Sequence, residues 1–262
     1  MPVNAAIRRV VGIVSDKVTN RRRWIFAAIA GASLIAVGAA ARLRARRSSD
    51  PDAPSDVGFM FALHDALRRD LSRLREAAAN IEDSAQVPAT VLAGWDTFRD
   101  QLDFHHHAED EDLWPVLRSE LSDPRDLAAV DVMVQEHQHI EPALAAVDSA
   151  LHGTGELMTA VDALSAVVLD HLAHEEREVL PLIERHMTRA QWRAFLVTER
   201  NRRRVREAPE FLAWVLDDAG EQDAAAVLAE IPPPARLAYR WVIRPRHDAQ
   251  HLWQVPAPAG RA

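Results

Sequence analysis

Residues 105–115 read HHHAEDEDLWP and residues 171–181 read HLAHEEREVLP. The two stretches align without a gap: a histidine, a glutamate four residues on, an acidic residue directly after it, and a proline ten residues after the histidine. Four residues make about one helical turn, so His105 and Glu109 project from one helix face, and His171 and Glu175 do the same. Upstream of each copy lies a looser match, His64-Asp-Ala-Leu67 before the first and His137-Gln-His-Ile140 before the second. The pattern predicts an internal duplication of helix pairs, each offering one histidine and then a His-x-x-x-Glu.

Outward from these motifs, apolar residues recur at helical spacing. The first stripe is Met60, His64, Leu67, Leu71, Leu74 and Ala78; the second is Trp95, Phe98, Leu102, His105, Glu109 and Leu113. The third runs Val130, Met133, His137, Ile140, Leu144, Val147 and Leu151, and the fourth Val161, Leu164, Val168, His171, Glu175, Val179 and Leu182. Each stripe defines the buried face of one amphipathic helix. Breaks fall at Pro88, at Ser122-Asp123-Pro124, at Gly153-Thr154-Gly155 and near Thr188, which is placed to cap a following helix. No sustained strand-type alternation occurs, so the class is all-α and the expected architecture an up-down-up-down four-helix bundle over residues 59–187.

Histidine and glutamate replace leucine on the inward faces at His64, His105, Glu109, His137, His171 and Glu175. Burying such groups unpaired costs several kcal/mol, a penalty that a metal ion offsets. Four imidazoles and two carboxylates without any cysteine suit iron or manganese, with zinc as a further candidate. The plainer alternative is a polar network that satisfies itself without metal. His106 competes with His105 because it follows Leu102 by four residues; the gapless match to His171 favours His105. His107, His139 and His174 are expected to flank the centre, and His152, His186, His247 and His251 to lie on the surface. Phe61, Phe98 and Trp114 are expected to form an apolar shell around it.

On these residues the segment 59–187 resembles the hemerythrin-like, or HHE cation-binding, family. The resemblance implies a non-haem di-iron centre in which Glu109 and Glu175 bridge two irons and His64, His105, His137 and His171 cap them. It also implies that dioxygen, peroxide or nitric oxide binds or reacts there. In oxygen-carrying hemerythrins the third helix offers two histidines four apart, whereas here the residue four after His137 is Glu141, an optional further ligand. That departure makes redox turnover or iron sensing a stronger expectation than reversible oxygen carriage. An iron-sensing module without turnover and a structural bundle holding zinc or nothing are the alternatives.

The chain has 262 residues, no cysteine and a net charge of −8, which excludes thiolate chemistry and argues against bulk nucleic-acid binding. No glycine-rich phosphate loop or Gly-x-Ser-x-Gly elbow is present, and the single tyrosine, Tyr239, lies far from the motifs. Residues 1–47 form a basic arm around the uncharged run WIFAAIAGASLIAVGAAA (24–41), long enough for a short membrane span. Lys and Arg number five before it and four after it, counted over fifteen residues each side, so orientation is nearly undetermined. Arg22-Arg23-Trp24-Ile25-Phe26 also resembles a twin-arginine export signal. The expected localisation is a single-pass membrane anchor, or export as the alternative. Residues 48–58 (SSDPDAPSDVG) read as a linker, and 188–262 as a helical extension whose cluster RNRRRVR (200–206) is expected to be a solvated helix face. No residue identifies a redox partner.

Overall fold

The computed structural model describes residues 55–81, 86–203, 207–220, 233–256 and, singly, Ala224, Val227, Leu228 and Ile231. The apolar run 24–41, its basic flanks and linker residues 48–54 lie outside these. Among the described residues there is no β-strand. The helices are α1 (Gly58–Asn80), α2 (Ala89–Ala108), α3 (Trp114–Glu120), α4 (Pro124–Leu151), α5 (Leu157–His174), α6 (Leu180–His186), α7 (Arg189–Arg202), α8 (Ala208–Leu216), α9 (Pro233–Ala238) and α10 (Arg244–Asp248).

Local chemistry sets these boundaries. Asp123 caps α4 by accepting from the Arg125 N–H at 2.8 Å, with Pro124 in the first turn. Gly153 and Gly155, at φ 88° and 105°, make the turn into α5 that residues with a Cβ resist. Thr188 and Gln191 form a reciprocal capping box at α7. The π turns Glu109–Leu113 and Glu175–Val179 join α2 to α3 and α5 to α6, making two long rods. A third, Tyr239–Ile243, joins α9 to α10. Each ends two residues before a proline, Pro115, Pro181 or Pro245, whose missing N–H and bulky ring disturb the turn behind it. Pro142 sits inside α4 without such a turn, so proline alone does not produce one.

The four rods pack as a square: each touches its sequence neighbours, and the first closes on the fourth. Every residue of the four stripes read from the sequence is buried. The apolar part of this core is split. One cluster contains Leu67, Leu102, Ile140 and Val168, and the other Met60, Leu113, Met133 and Val179. Between them, at one level of all four rods, lie the buried histidines and glutamates. Leu157–His186 is long and apolar enough to cross a membrane, yet it carries His171 and Glu175 and packs on α1 and α4 as a core helix does.

The C-terminal helices join the bundle. Trp214 and Val215 of α8, with Trp253, belong to the first core cluster. Trp214 Nε1 donates to the buried Asp70 of α1 at 2.7 Å, and Arg73 holds Asp217 at 2.5 Å. The Trp253 indole lies over Gly94 so closely that a Cβ there would stand 2.5 Å from it. Three sequence expectations are corrected here. Phe61 is 41% exposed and lines no shell, because it points off the buried face of α1. His247 is not a free surface residue, since its side chain is 11% exposed and its Nε2 is 3.4 Å from Asp217. Arg203 is no solvated charge: its guanidinium lies between Phe104 and Phe211, 3.6 and 3.9 Å from the ring centroids.

Candidate metal centre

Two groups of potential ligand atoms fill the polar layer, each within 4.8 Å of one another: His64, His105, Glu109 and Glu175 in one, His106, His137 and His171 in the other. Glu109 reaches both. Its carboxylate lies 3.4 Å from His105 Nδ1 and 3.4 Å from His137 Nε2. Glu175 lies 3.1 Å from His64 Nε2 and 4.0 Å from His105 Nε2, and the His64 and His105 Nε2 atoms are 3.2 Å apart.

Among the described residues, both oxygens of Glu109 and of Glu175, and Nε2 of His106, His137 and His171, are buried without a hydrogen-bond partner. Such a concentration of unpaired polar atoms is costly in an otherwise close-packed core. The donor set, imidazole nitrogen and carboxylate oxygen converging from four helices, fits one or two divalent cations.

Outer carboxylates fix the rings. Nδ1 of His64 faces Glu176 at 2.8 Å, Nδ1 of His137 faces Asp110 at 3.0 Å, and Nδ1 of His171 faces Glu136 at 3.0 Å. A ring that donates from Nδ1 presents Nε2 as a lone pair, the state a metal requires. Glu176 also takes a 2.8 Å hydrogen bond from Arg68, and Glu136 a 2.7 Å contact from His174 Nδ1. The duplication is visible in these bonds: the acid after each inner glutamate clamps the histidine of a neighbouring rod.

The electrostatics of the bare layer are uneven. Burial opposes the charge on His64, but Glu175 and Glu176 outweigh it and hold this histidine up at about 9. His137 is likewise raised to about 9, with burial overcome by Asp110 and Glu109. His105 and His106 are pushed down, chiefly by burial and by the neighbouring histidines. Burial and the charge of Glu175 push Glu109 up, whereas Glu175 is held down by His64 against its own burial.

Of the residues singled out in the sequence, His64, His105, Glu109 and Glu175 come together in one group, and His137 and His171 meet in the other. Glu141 is exposed on α4 and stands in neither. His106 does stand in the site, stacked on His137 with centroids 4.1 Å apart and edge-on to His171 at 5.2 Å. Adjacent residues on a helix differ by about 100° in direction. In a square bundle that lets His105 face the first rod while His106 faces the third. His107 and His139 are exposed, as expected of flanking residues. Sequence reasoning missed the clamping roles of Asp110, Glu136 and Glu176; an acid after each inner glutamate was the available signal for two of them.

Comparison with protein-family models matches residues 55–183 to the hemerythrin HHE cation-binding domain. Comparison with curated proteins and with solved structures finds no match. The matched span covers α1 through most of α6, including every histidine and glutamate of the polar layer. With the all-α bundle, this match makes residues 55–183, about half of the chain, a member of the hemerythrin HHE cation-binding family, and the buried His/Glu layer is compatible with a metal-binding site.

Proposed function

We propose that the polar layer holds two iron ions as a non-haem di-iron centre that binds or reacts with dioxygen, peroxide or nitric oxide. The observation that carries this reading is Glu109, whose two oxygens face histidines of both groups at 3.4 Å. A carboxylate so placed would be able to help hold a cation in either group. His64 and His105 then belong to one position and His137, His171 and His106 to the other, with Glu175 on the side of the first. Iron bound there supplies redox chemistry and Lewis acidity toward a small ligand.

The protein's part follows from its own atoms. Asp110, Glu136 and Glu176 orient three imidazoles, and Arg68 balances one of the outer charges. Glu109 and Glu175 bring negative charge to the centre of the layer, and the apolar clusters on either side keep bulk water away. Manganese or zinc fits the same donors, and an iron-sensing role would use the same residues. Residues 24–41 are proposed to anchor the chain to a membrane. No redox partner is assigned.

Elemental analysis of the untagged full chain tests the centre. About two irons per chain, both lost in Glu109→Ala while Glu141→Ala keeps them, is the expected result. Substoichiometric metal indifferent to Glu109 would overturn the reading.

A further inference from the structure

Residues 233–248 read PPARLAYRWVIRPRHD, four arginines against one aspartate in a chain whose net charge is −8. They form one continuous rod made of α9, the π turn Tyr239–Ile243 and α10. Its inner face is occupied: Ala235, Ala238 and Tyr239 are buried, and Tyr239 packs with Ala213 and Leu216 of α8, with Ile243 against them. Its outer face carries Arg236, Leu237, Arg240, Trp241, Arg244 and Arg246, all exposed. Leu237 is 59% and Trp241 68% exposed, the two highest values among the large hydrophobic side chains of the described residues. Residues four apart share a helix side, so Arg236, Arg240 and Arg244 make one row and Leu237 and Trp241 the next. The Arg240 guanidinium lies 5.3 Å from the Trp241 ring centroid, and Arg244 stays at the surface, 3.8 Å from Asp248.

We infer that this face lies against the anionic headgroups of a phospholipid bilayer, with Trp241 and Leu237 at the headgroup boundary and the arginines on the phosphates. Tryptophan favours that boundary because its ring is apolar at one end and polar at the other. Arginine can lay its stem along apolar surface while its charged head stays among phosphates. A rod with one face packed on protein and the other built of arginine, leucine and tryptophan therefore suits a bilayer surface. Charge complementarity selects the lipid: an acidic chain is repelled as a whole by an anionic surface, so a local basic row has to overcome that repulsion. The uncharged run 24–41 points to the same partner. Thirteen residues, 42–54, separate it from Ser55, and fully extended they reach at most about 45 Å. The chain then enters α1 beside α8, where the Phe59 and Phe211 centroids lie 6.1 Å apart, and α8 is the helix that carries the rod. The inference takes the proposed anchor as what brings the bundle to a bilayer, while the face rests on its own side chains.

The chain has no cysteine, so a single introduced thiol can carry an environment-sensitive fluorophore. Leu237→Cys places it on the face, and Leu169→Cys places it on an exposed part of α5 as a control. The full chain is reconstituted in vesicles of phosphatidylcholine alone or with about one third phosphatidylglycerol. The label at 237 should shift to the blue and resist an aqueous quencher only in the anionic vesicles, reversibly with salt, and the label at 169 in neither. Arg240→Glu with Arg244→Glu should weaken that protection about tenfold or more, whereas lysine at both positions should retain it. Equal exposure of the 237 label in both vesicles, equal protection in both, or protection in detergent without lipid, the sign of a second copy on the face, would overturn the inference. An alkaline carbonate wash keeps the two readings apart. A chain washed off after showing lipid-dependent protection would sink the anchor and leave the face; a chain retained without protection would do the reverse.

Discussion

The carboxylate of Glu176 lies 2.8 Å from Nδ1 of His64, while the preceding residue, Glu175, lies 3.1 Å from Nε2 of the same ring. Two consecutive acids thus address opposite edges of one imidazole, the inner at the metal position and the outer behind it. The π turn that begins at Glu175 brings both to the same side of the rod. Because an outer acid fixes ring orientation and basicity without touching metal, Glu176→Gln should weaken metal binding about 10- to 100-fold while leaving stoichiometry at saturation unchanged. Competition against a chelator measures this. Asp110→Asn, acting on His137, should do the same.

His106→Gln should lower occupancy at the position shared with His137 and His171, and His107→Gln, altering an exposed neighbour, should not. Elemental analysis of the two variants separates a ligand from a ring that merely stacks.

Asp70 is 1% exposed and accepts from both Trp214 Nε1 and Arg69. Asp70→Ala strands those donors, so the loss should be about 2–4 kcal/mol by denaturant unfolding. Adding Trp214→Phe should recover part of it, since the orphaned indole N–H is then gone.

Burial, together with the neighbouring Asp112, raises Glu199 to about 7. An acid whose native pKa lies above its unfolded value keeps its proton longer in the folded state. Its contribution to stability therefore falls as pH rises from about 4.5 to about 7 and is level above that. Glu199→Gln should accordingly gain stability relative to the parent across this window and hold a constant advantage beyond it. Thermal midpoints of both proteins at pH 5, 6 and 8 give the comparison; equal pH profiles would contradict it.

Chelation should leave the helical circular dichroism nearly intact and lower the melting temperature, because the two apolar clusters persist while the ligand layer loses its compensating charge. Re-addition of metal should restore the midpoint in a concentration-dependent way.

Much of this arrangement was legible in the residues themselves. Helical spacing alone placed the four stripes, since burial on one face imposes a 3–4 repeat whatever the tertiary partners are. The repeated His-x-x-x-Glu placed the inner carboxylates. His106 escaped because the gapless match to His171 favours His105 on a single buried face, whereas a helix in a square bundle has two neighbours and uses adjacent residues to meet them. Glu136 escaped for a different reason: it precedes its histidine, belongs to no repeat, and acts on a ring in another rod. The role of Trp214 depends on Asp70, a partner 144 residues away that no local pattern reveals.

The family match stops at residue 183, but Trp214, Val215 and Trp253 lie in the same apolar cluster as Leu67 and Leu102. The inherited unit and the cooperative unit consequently end at different places. A chain cut at the former boundary would uncover apolar surface on the first two rods, so the isolated segment would be drawn toward self-association. Conversely, any event that loosens the tail is transmitted to the bundle as lost cohesion, and the far end of the polypeptide acquires leverage over a centre it never touches.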